Sequence, residues 1–373
     1  MEPLKPDYDG ACVRNVVAAL LGQRPVDWLP APVTGARATV LLVLDGLGWD
    51  VLQAEKGGAA PQLPTVAAME GRAITTVAPS TTPAALTSIT TGVGPARHGL
   101  TGYRMRLDDT VLNTIRWQRA DGRRGPDPTG VQRHESFGGR AVPVVTKAEF
   151  RTSGFTAAHL RDGEFHGWQT TAVLVEHVRA LISRGEPLVY AYYPGIDEVA
   201  HAYGLGAPWF PAELAAADRL VGALLDAVPP DVAVVVTADH GQVQVGPDGW
   251  IGLGGIDALV DVYAGDGRFR YLHTRRGAVD DLHAAAEAMY GEQAWVFTRD
   301  RLLDEGWLGP DPSGPARRRV GDVVLAARDG AGFVDPTYPQ EAKLMSAHGS
   351  LTAAEMLVPL VAARGHAASR VAR

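Results

Sequence analysis

The chain has 373 residues, 46% hydrophobic and 21% charged: globular composition, on a length that calls for one large domain with a smaller one inserted or appended. Its 35 basic and 42 acidic residues give a net charge of −7, which leaves no basic excess to neutralise the phosphates of a nucleic-acid polymer. Cys12 is the only cysteine, which excludes an internal disulfide framework, and no apolar stretch reaches the roughly 18 residues of a membrane span.

The amino terminus, MEPLKPDYDGACVRN, lacks the basic-then-apolar pattern of a secretory signal, so a soluble cytoplasmic protein is expected. Residues 38–45, ATVLLVLD, form an apolar run that ends in Asp45 and the turn Gly46-Leu47-Gly48. Burial on both faces of this kind suits a central parallel strand. In PSTTPAALTSITTG (79–92), Pro83 fits the first helical position with Thr82 as the cap. From about 100 to 150 the pattern becomes short polar strands with glycine and proline between them. TVLNTIRWQ and AVPVVTKAEF read as an antiparallel excursion beside the core.

Residues 171–184 carry an apolar helical stripe of Leu174, Val175, Val178, Leu181 and Ile182, stopped by Gly185. The apolar run LVYAYY (188–193) follows, with Asp197 and His201 just beyond it in GIDEVAH. A second helix is expected from Pro211 to 228, then the apolar strand VAVVVT (232–237), then Asp239, His240 and Gly241. Alternating helix and apolar strand predicts an α/β fold with a doubly wound, mainly parallel sheet and helices on both faces. A change of pattern over 251–340 suggests an inserted α+β subdomain, leaving 1–250 and 341–373 as the core. Within it YAGDGRFRYLHT reads as a strand or hairpin, 278–290 as an amphipathic helix and VGDVVLAAR as a strand. Arg317-Arg318-Arg319 reads as a solvated loop. His348, in MSAHGS, returns the chain to the edge of the sheet where Asp45 stands.

Open α/β sheets place ligands at the carboxyl ends of their strands. Asp45, Asp197, His201, Asp239, His240 and His348 all fall there. Each alone also fits a plain role: a helix cap, a surface pair, a loop histidine. Together they make a carboxylate and imidazole set suited to zinc or a related divalent ion. Asp197 and His201, four apart, share a face if their segment is helical. Thr82 at a helix amino terminus would sit where free N–H groups receive a phosphate.

Asp45 in LDGLGWD, the threonine segment 79–92, Asp197-x-x-x-His201, Asp239-His240-Gly241 and His348-Gly349 together resemble the alkaline phosphatase superfamily. Within it they are most similar to the nucleotide pyrophosphatase/phosphodiesterase branch. The resemblance implies two zinc ions, one held by Asp197, His201 and His348. The other would be held by Asp45, Asp239 and His240, with Thr82 as its ligand and as the nucleophile. It implies a hydrolase of phosphodiester or pyrophosphate bonds in a small soluble, nucleotide-like substrate, working through a phospho-threonine. It also makes 251–340 a cap over the site. Leu86 stands where sulfatases carry an arginine, which argues against sulfate esters. Tyr103, in HGLTGY, stands where many diesterases hold a phosphate oxygen with asparagine, and its phenol can donate one hydrogen bond. A phosphomonoesterase or phosphonate hydrolase with the same metals is the alternative, and a catalytically silent metal-binding protein a third reading. His98 reads as structural.

Overall fold

Ala38–Leu44 has all seven residues buried, and this apolar strand lies at the centre of a seven-stranded sheet. The computed structural model describes residues 2–23, 26–57 and 61–366. In the sheet the strand order is Glu70–Thr75, Leu357–Arg364, Val232–Thr237, Ala38–Leu44, Leu188–Tyr193, Pro143–Lys147 and Glu164–Trp168. Five of these strands run parallel, and Leu357–Arg364 pairs antiparallel with both its neighbours. Thr39 lies opposite Leu188 on one side and Ala233 on the other. In that register the three central strands end within one residue of each other, at Leu44, Tyr193 and Thr237.

The helices follow from their apolar stripes. Val13–Leu20 packs on Thr82–Thr91, and Trp209–Ala227 packs on Thr171–Arg184 and Gly195–Tyr203. Thr171–Arg184 buries Leu174, Val178, Leu181 and Ile182 and stops at Gly185, whose φ of 98° a side chain would resist. Trp209–Ala227 begins two residues before the expected Pro211. A proline in the first turn leaves no helical acceptor empty, because the first N–H groups have no partner there anyway.

A second seven-stranded sheet is antiparallel throughout. Its order is Ala294–Thr298, Val323–Ala327, Phe269–Thr274, Val260–Asp266, Arg104–Leu107, Thr110–Asn113 and Gln118–Arg119. The expected hairpin is Val260–Asp266 with Phe269–Thr274, and the expected amphipathic helix is Val279–Tyr290. The strands from 104 to 119 join the same sheet, so it is discontinuous in sequence. Pro143–Lys147 departs from expectation: it is a parallel strand of the main sheet, not part of the antiparallel excursion. Its run PVVTK is buried over its first four residues, as burial on both faces requires, and proline at the first position needs no ladder donor.

Arg317-Arg318-Arg319 also departs from the solvated loop expected. These residues end the helix Gly314–Arg319, and Arg319 is buried, donating to Gly99 O at 2.7 Å and Val131 O at 3.1 Å. Burial makes a guanidinium costly unless its donors find acceptors, and two carbonyls take up the Nη1 donors here.

Candidate active site

Asp45 follows the central strand, Asp239 and His240 follow Val232–Thr237, and Asp197 and His201 lie on the helix Gly195–Tyr203 that leaves Leu188–Tyr193. Three neighbouring strands thus deliver five of the six expected residues to one edge. Gly46, at φ 79°, lets these segments close on each other: a Cβ there would lie 2.5 Å from Gln242 Nε2 and 3.2 Å from Asp197 Cα. His348 arrives from the segment before the last strand. Mutual bonds between Ser80 and Gly349 dock that segment on the threonine loop, Ser80 N donating to Gly349 O at 3.0 Å and Gly349 N to Ser80 Oγ at 3.2 Å.

The side chains converge. His240 Nε2 lies 3.3 Å from both Asp45 Oδ1 and Asp239 Oδ2, and 3.1 Å from Thr82 Oγ1. His201 Nε2 lies 3.3 Å from Asp197 Oδ1, so the four-residue spacing does put both on one helix face. His348 Nε2 lies 3.7 Å from the same oxygen, and its ring stacks on His240 at 3.4 Å between centroids. Two groups could each hold one ion, Asp45 with Asp239 and His240, and Asp197 with His240 and His348. His240 therefore sits between the two groups, and His201 approaches the second from Asp197's side.

The outer bonds of the three imidazoles share one pattern. Nδ1 of His201, His240 and His348 faces the backbone oxygens of Ser346, Gly241 and Ser80 at 2.7, 3.1 and 2.9 Å. Donation from Nδ1 to a carbonyl leaves Nε2 as a lone-pair acceptor pointing inward, the tautomer that a metal ligand requires. Asp45 Oδ1 and Asp239 Oδ2 are buried without a hydrogen-bond partner among the described residues. Orphaned carboxylate oxygens of this kind fit a cation.

Electrostatics lead to the same fit. Burial first, then the charges of Asp239 and Asp197, pushes the Asp45 carboxyl well above the ordinary range. Burial also raises Asp197 and Asp239, and lowers His240. His348 is driven well below its ordinary value by burial, with His240 and His201 adding repulsion. The imidazoles of His201 beside Asp197 and His240 beside Asp239 offset only part of this penalty. Divalent cations would reverse each of these penalties.

Thr82 is the first residue of the helix Thr82–Thr91; Thr81 holds the cap position, without a side-chain capping bond. The expected capping role of Thr82 is thereby corrected. Its hydroxyl turns away from the helix amides to His240, because the cap position falls one residue earlier. Tyr103 lines a cavity of about 380 Å³ together with Thr82, Asp197, His201 and His348. Its hydroxyl lies 3.4 Å from that of Tyr338 and is pushed up to about 12 by burial, so it stays a donor. A second, apolar cavity of about 160 Å³ opens on the other side of Thr82, among Leu86, Ile115, Phe150, Phe155 and Tyr190. His98 is buried against Ser88 Oγ at 3.0 Å and Leu100 N at 3.1 Å, a structural role as expected.

Four residues here escaped the sequence. Tyr192 donates its hydroxyl to Asp45 Oδ2, and Gln242 Nε2 donates to Asp197 Oδ1 at 2.8 Å. Asp266, in the cavity wall, is raised to about 7 by burial, and Tyr338 faces Tyr103. Tyr192 and Gln242 each lie within five residues of an expected ligand, which was the available signal. Asp266 and Tyr338 carried none.

Residues 39–351 match the type I phosphodiesterase / nucleotide pyrophosphatase family, and the chain belongs to that family. Among solved structures, human ectonucleotide pyrophosphatase/phosphodiesterase 5 is 16% identical with a TM-score of 0.66, over 89% of this chain and 90% of that one. The murine counterpart, in an inactive threonine-to-alanine form with AMP, is 15% identical with a TM-score of 0.62, over 87% of each chain. Phosphonoacetate hydrolase from Sinorhizobium meliloti 1021, in complex with phosphonoformate, is 20% identical with a TM-score of 0.62, over 90% of this chain and 92% of that one. A sequence comparison with curated proteins finds no match. At these identities the structural likeness concerns the fold, an alkaline phosphatase superfamily fold. No helix among the described residues is long and apolar enough to cross a membrane.

Proposed function

We propose that this chain is a zinc-dependent hydrolase that cleaves phosphodiester or pyrophosphate bonds of a small nucleotide-like substrate through a phosphorylated Thr82. The observation that carries it is the convergence of inward-facing Nε2 atoms and orphaned carboxylate oxygens around one threonine hydroxyl. Asp197, His201 and His348 would hold one zinc ion, and Asp45, Asp239 and His240 the other, with Thr82 beside it. The ions, when bound, supply the positive charge that makes the hydroxyl ionise near neutral pH and that stabilises the transferring phosphoryl group.

Thr82 Oγ attacks phosphorus, the bond to the leaving oxygen breaks on the opposite side, and Thr82 holds the phosphoryl group as an ester. Water then attacks the same phosphorus, breaks the Thr82 ester and returns the hydroxyl. The amino terminus of the helix Thr82–Thr91 would offer its positive end to the phosphate oxygens. Tyr103 would donate to one of them from the cavity wall. The apolar cavity among Phe150, Phe155 and Leu86 would take a ring or other apolar part of the substrate. AMP bound by the murine relative supports a nucleotide-like substrate. Segment 251–340 would act as the cap: it contributes Asp266, Tyr338 and Gln340 to the cavity wall.

A phosphonate hydrolase or phosphomonoesterase is the second reading, favoured by the Tyr103–Tyr338 pair on the cavity wall and by the phosphonoacetate hydrolase likeness. The test compares kcat/KM for an aryl phosphodiester, a monoester and a phosphonate on zinc-loaded protein, with Thr82→Ala and Thr82→Ser alongside. Preference for the diester, collapse in the alanine variant and residual turnover in the serine variant are expected. Wild-type rates in a folded, metal-loaded Thr82→Ala protein would remove the covalent mechanism; a phosphonate preference would install the second reading.

A further inference from the structure

A cavity of about 310 Å³ lies apart from this site, against the antiparallel sheet, and is lined by Arg106, Arg299, Arg318, Arg319 and His273 with Asp108 and Asp322. Four guanidinium groups against two carboxylates give a local charge of +2, on a chain whose net charge is −7. The two carboxylates do not neutralise it evenly. Asp322 is held by Arg299 Nη1 at 2.7 Å and accepts from Thr274 N at 2.9 Å. Arg106 and Arg318 make no ion pair among the described residues.

The cavity also holds buried ring and guanidinium nitrogens without partners among the described residues. His273 is 1% exposed, and among the described residues its Nε2 has no hydrogen-bond partner; neither has Nε of Arg299. Arg319 is pushed down to about 10 by burial, with Arg318 among the charges that repel it. Buried polar atoms left unpaired, under unneutralised guanidinium groups, are what an oxyanion would complete. Arginine forks match phosphate oxygens in pairs, which a carboxylate-lined zinc site does not do.

We propose that this cavity is a second, non-catalytic binding site for a phosphate-monoester dianion, gripped by Arg106, Arg299 and Arg318 with His273 at its floor. The ligand chemistry is a compact doubly charged phosphate, either inorganic phosphate or the phosphate of a nucleoside monophosphate.

Calorimetric titration of the metal-loaded protein with inorganic phosphate, and separately with AMP, tests the assignment. One binding event should weaken at least tenfold (about 1.4 kcal/mol) in Arg106→Ala/Arg318→Ala. Turnover should stay within twofold of wild type, because neither arginine lines the Thr82 cavity. Loss of that event with phosphate identifies the free anion as sufficient; loss with AMP alone identifies the monoester. Titrations of the double variant that superpose on wild type for both ligands would overturn the proposal. Both side chains reach solvent, so the double variant should keep the wild-type Tm, and that measurement guards against unfolding as the cause.

Discussion

Glu355→Ala should be among the most damaging single substitutions outside the site. Glu355 receives Arg268 Nε and Nη2, both at 2.8 Å, and both side chains are fully buried. The same carboxylate accepts Ser350 N at 2.9 Å and Thr352 Oγ1 at 2.6 Å. Arg268 comes from the turn of the hairpin Val260–Asp266/Phe269–Thr274, and Glu355 from the helix before the last strand of the main sheet, so the pair joins the two sheets. Alanine would leave a buried guanidinium with only the Ala331 carbonyl among the described residues, at a cost of about 3–5 kcal/mol. That is a large share of the ~5–15 kcal/mol that holds a typical domain. Glu355→Gln keeps the shape and part of the bonding and should cost about 1.5–3 kcal/mol. Arg268→Met/Glu355→Leu removes both charges and should recover part of the loss: no charge is then stranded, but Ser350 N and Thr352 Oγ1 still lose their acceptor. Urea unfolding of zinc-loaded protein, followed by circular dichroism, measures all three. A Glu355→Ala protein within about 1 kcal/mol of wild type would show that water reaches Arg268, and the reasoning would fail.

Other consequences are open to measurement. Chelation should abolish turnover and re-added zinc restore it; saturating zinc at about a hundredfold its Kd should add ~2.7 kcal/mol of stability, read as a rise in Tm. Full activity in metal-free protein would refute the metal assignment. The zinc-dependent rise in Tm should grow between pH 5 and pH 8. The raised carboxyls of Asp45, Asp197 and Asp239 give the metal-free fold stability that is present below their ordinary pKa and lost as pH climbs toward the raised values. The depressed imidazoles of His240 and His348 stabilise the fold above their ordinary pKa and lose that contribution as pH falls. Zinc needs ionised carboxylates and neutral imidazoles, so both sets make binding stronger as pH rises; a zinc effect that shrinks over this range would contradict the ligand set. Gln242→Ala should weaken zinc binding roughly 10–100-fold by freeing Asp197, as measured by competition with a chelating dye. Tyr103→Phe should lower kcat/KM by about 1–3 kcal/mol in transition-state terms if its hydroxyl reaches the phosphate; an unchanged value would leave it a packing residue beside Tyr338.

The main sheet was legible because its strands are short apolar runs that alternate with helical stripes, and burial on both faces writes such runs directly into sequence. The six metal-competent residues were legible for a related reason: each stands just beyond a strand or loop that the pattern delimits. Pro143–Lys147 was misplaced because a run of five, opened by proline and set among polar segments, has the same local signature in an edge hairpin as in a parallel sheet. Only its pairing with Leu188–Tyr193 and Glu164–Trp168 separates the two.

Sequence by itself determined which chemistry could assemble: carboxylates, imidazoles and one threonine, in an order that the strand ends bring together. Tertiary structure decided what no spacing carries. It turned the Thr82 hydroxyl to His240 instead of to the helix amides, and set His240 between the two groups of ligands. It also brought Asp266 and Tyr338 from a distant block to the wall of the Thr82 cavity, and Arg106 beside Arg318 in another. The physical reason is range. Burial and periodicity act between neighbours in the chain, whereas contacts such as Tyr103–Tyr338 and Ser80–Gly349 join residues 235 and 269 positions apart, and only the packed fold fixes them.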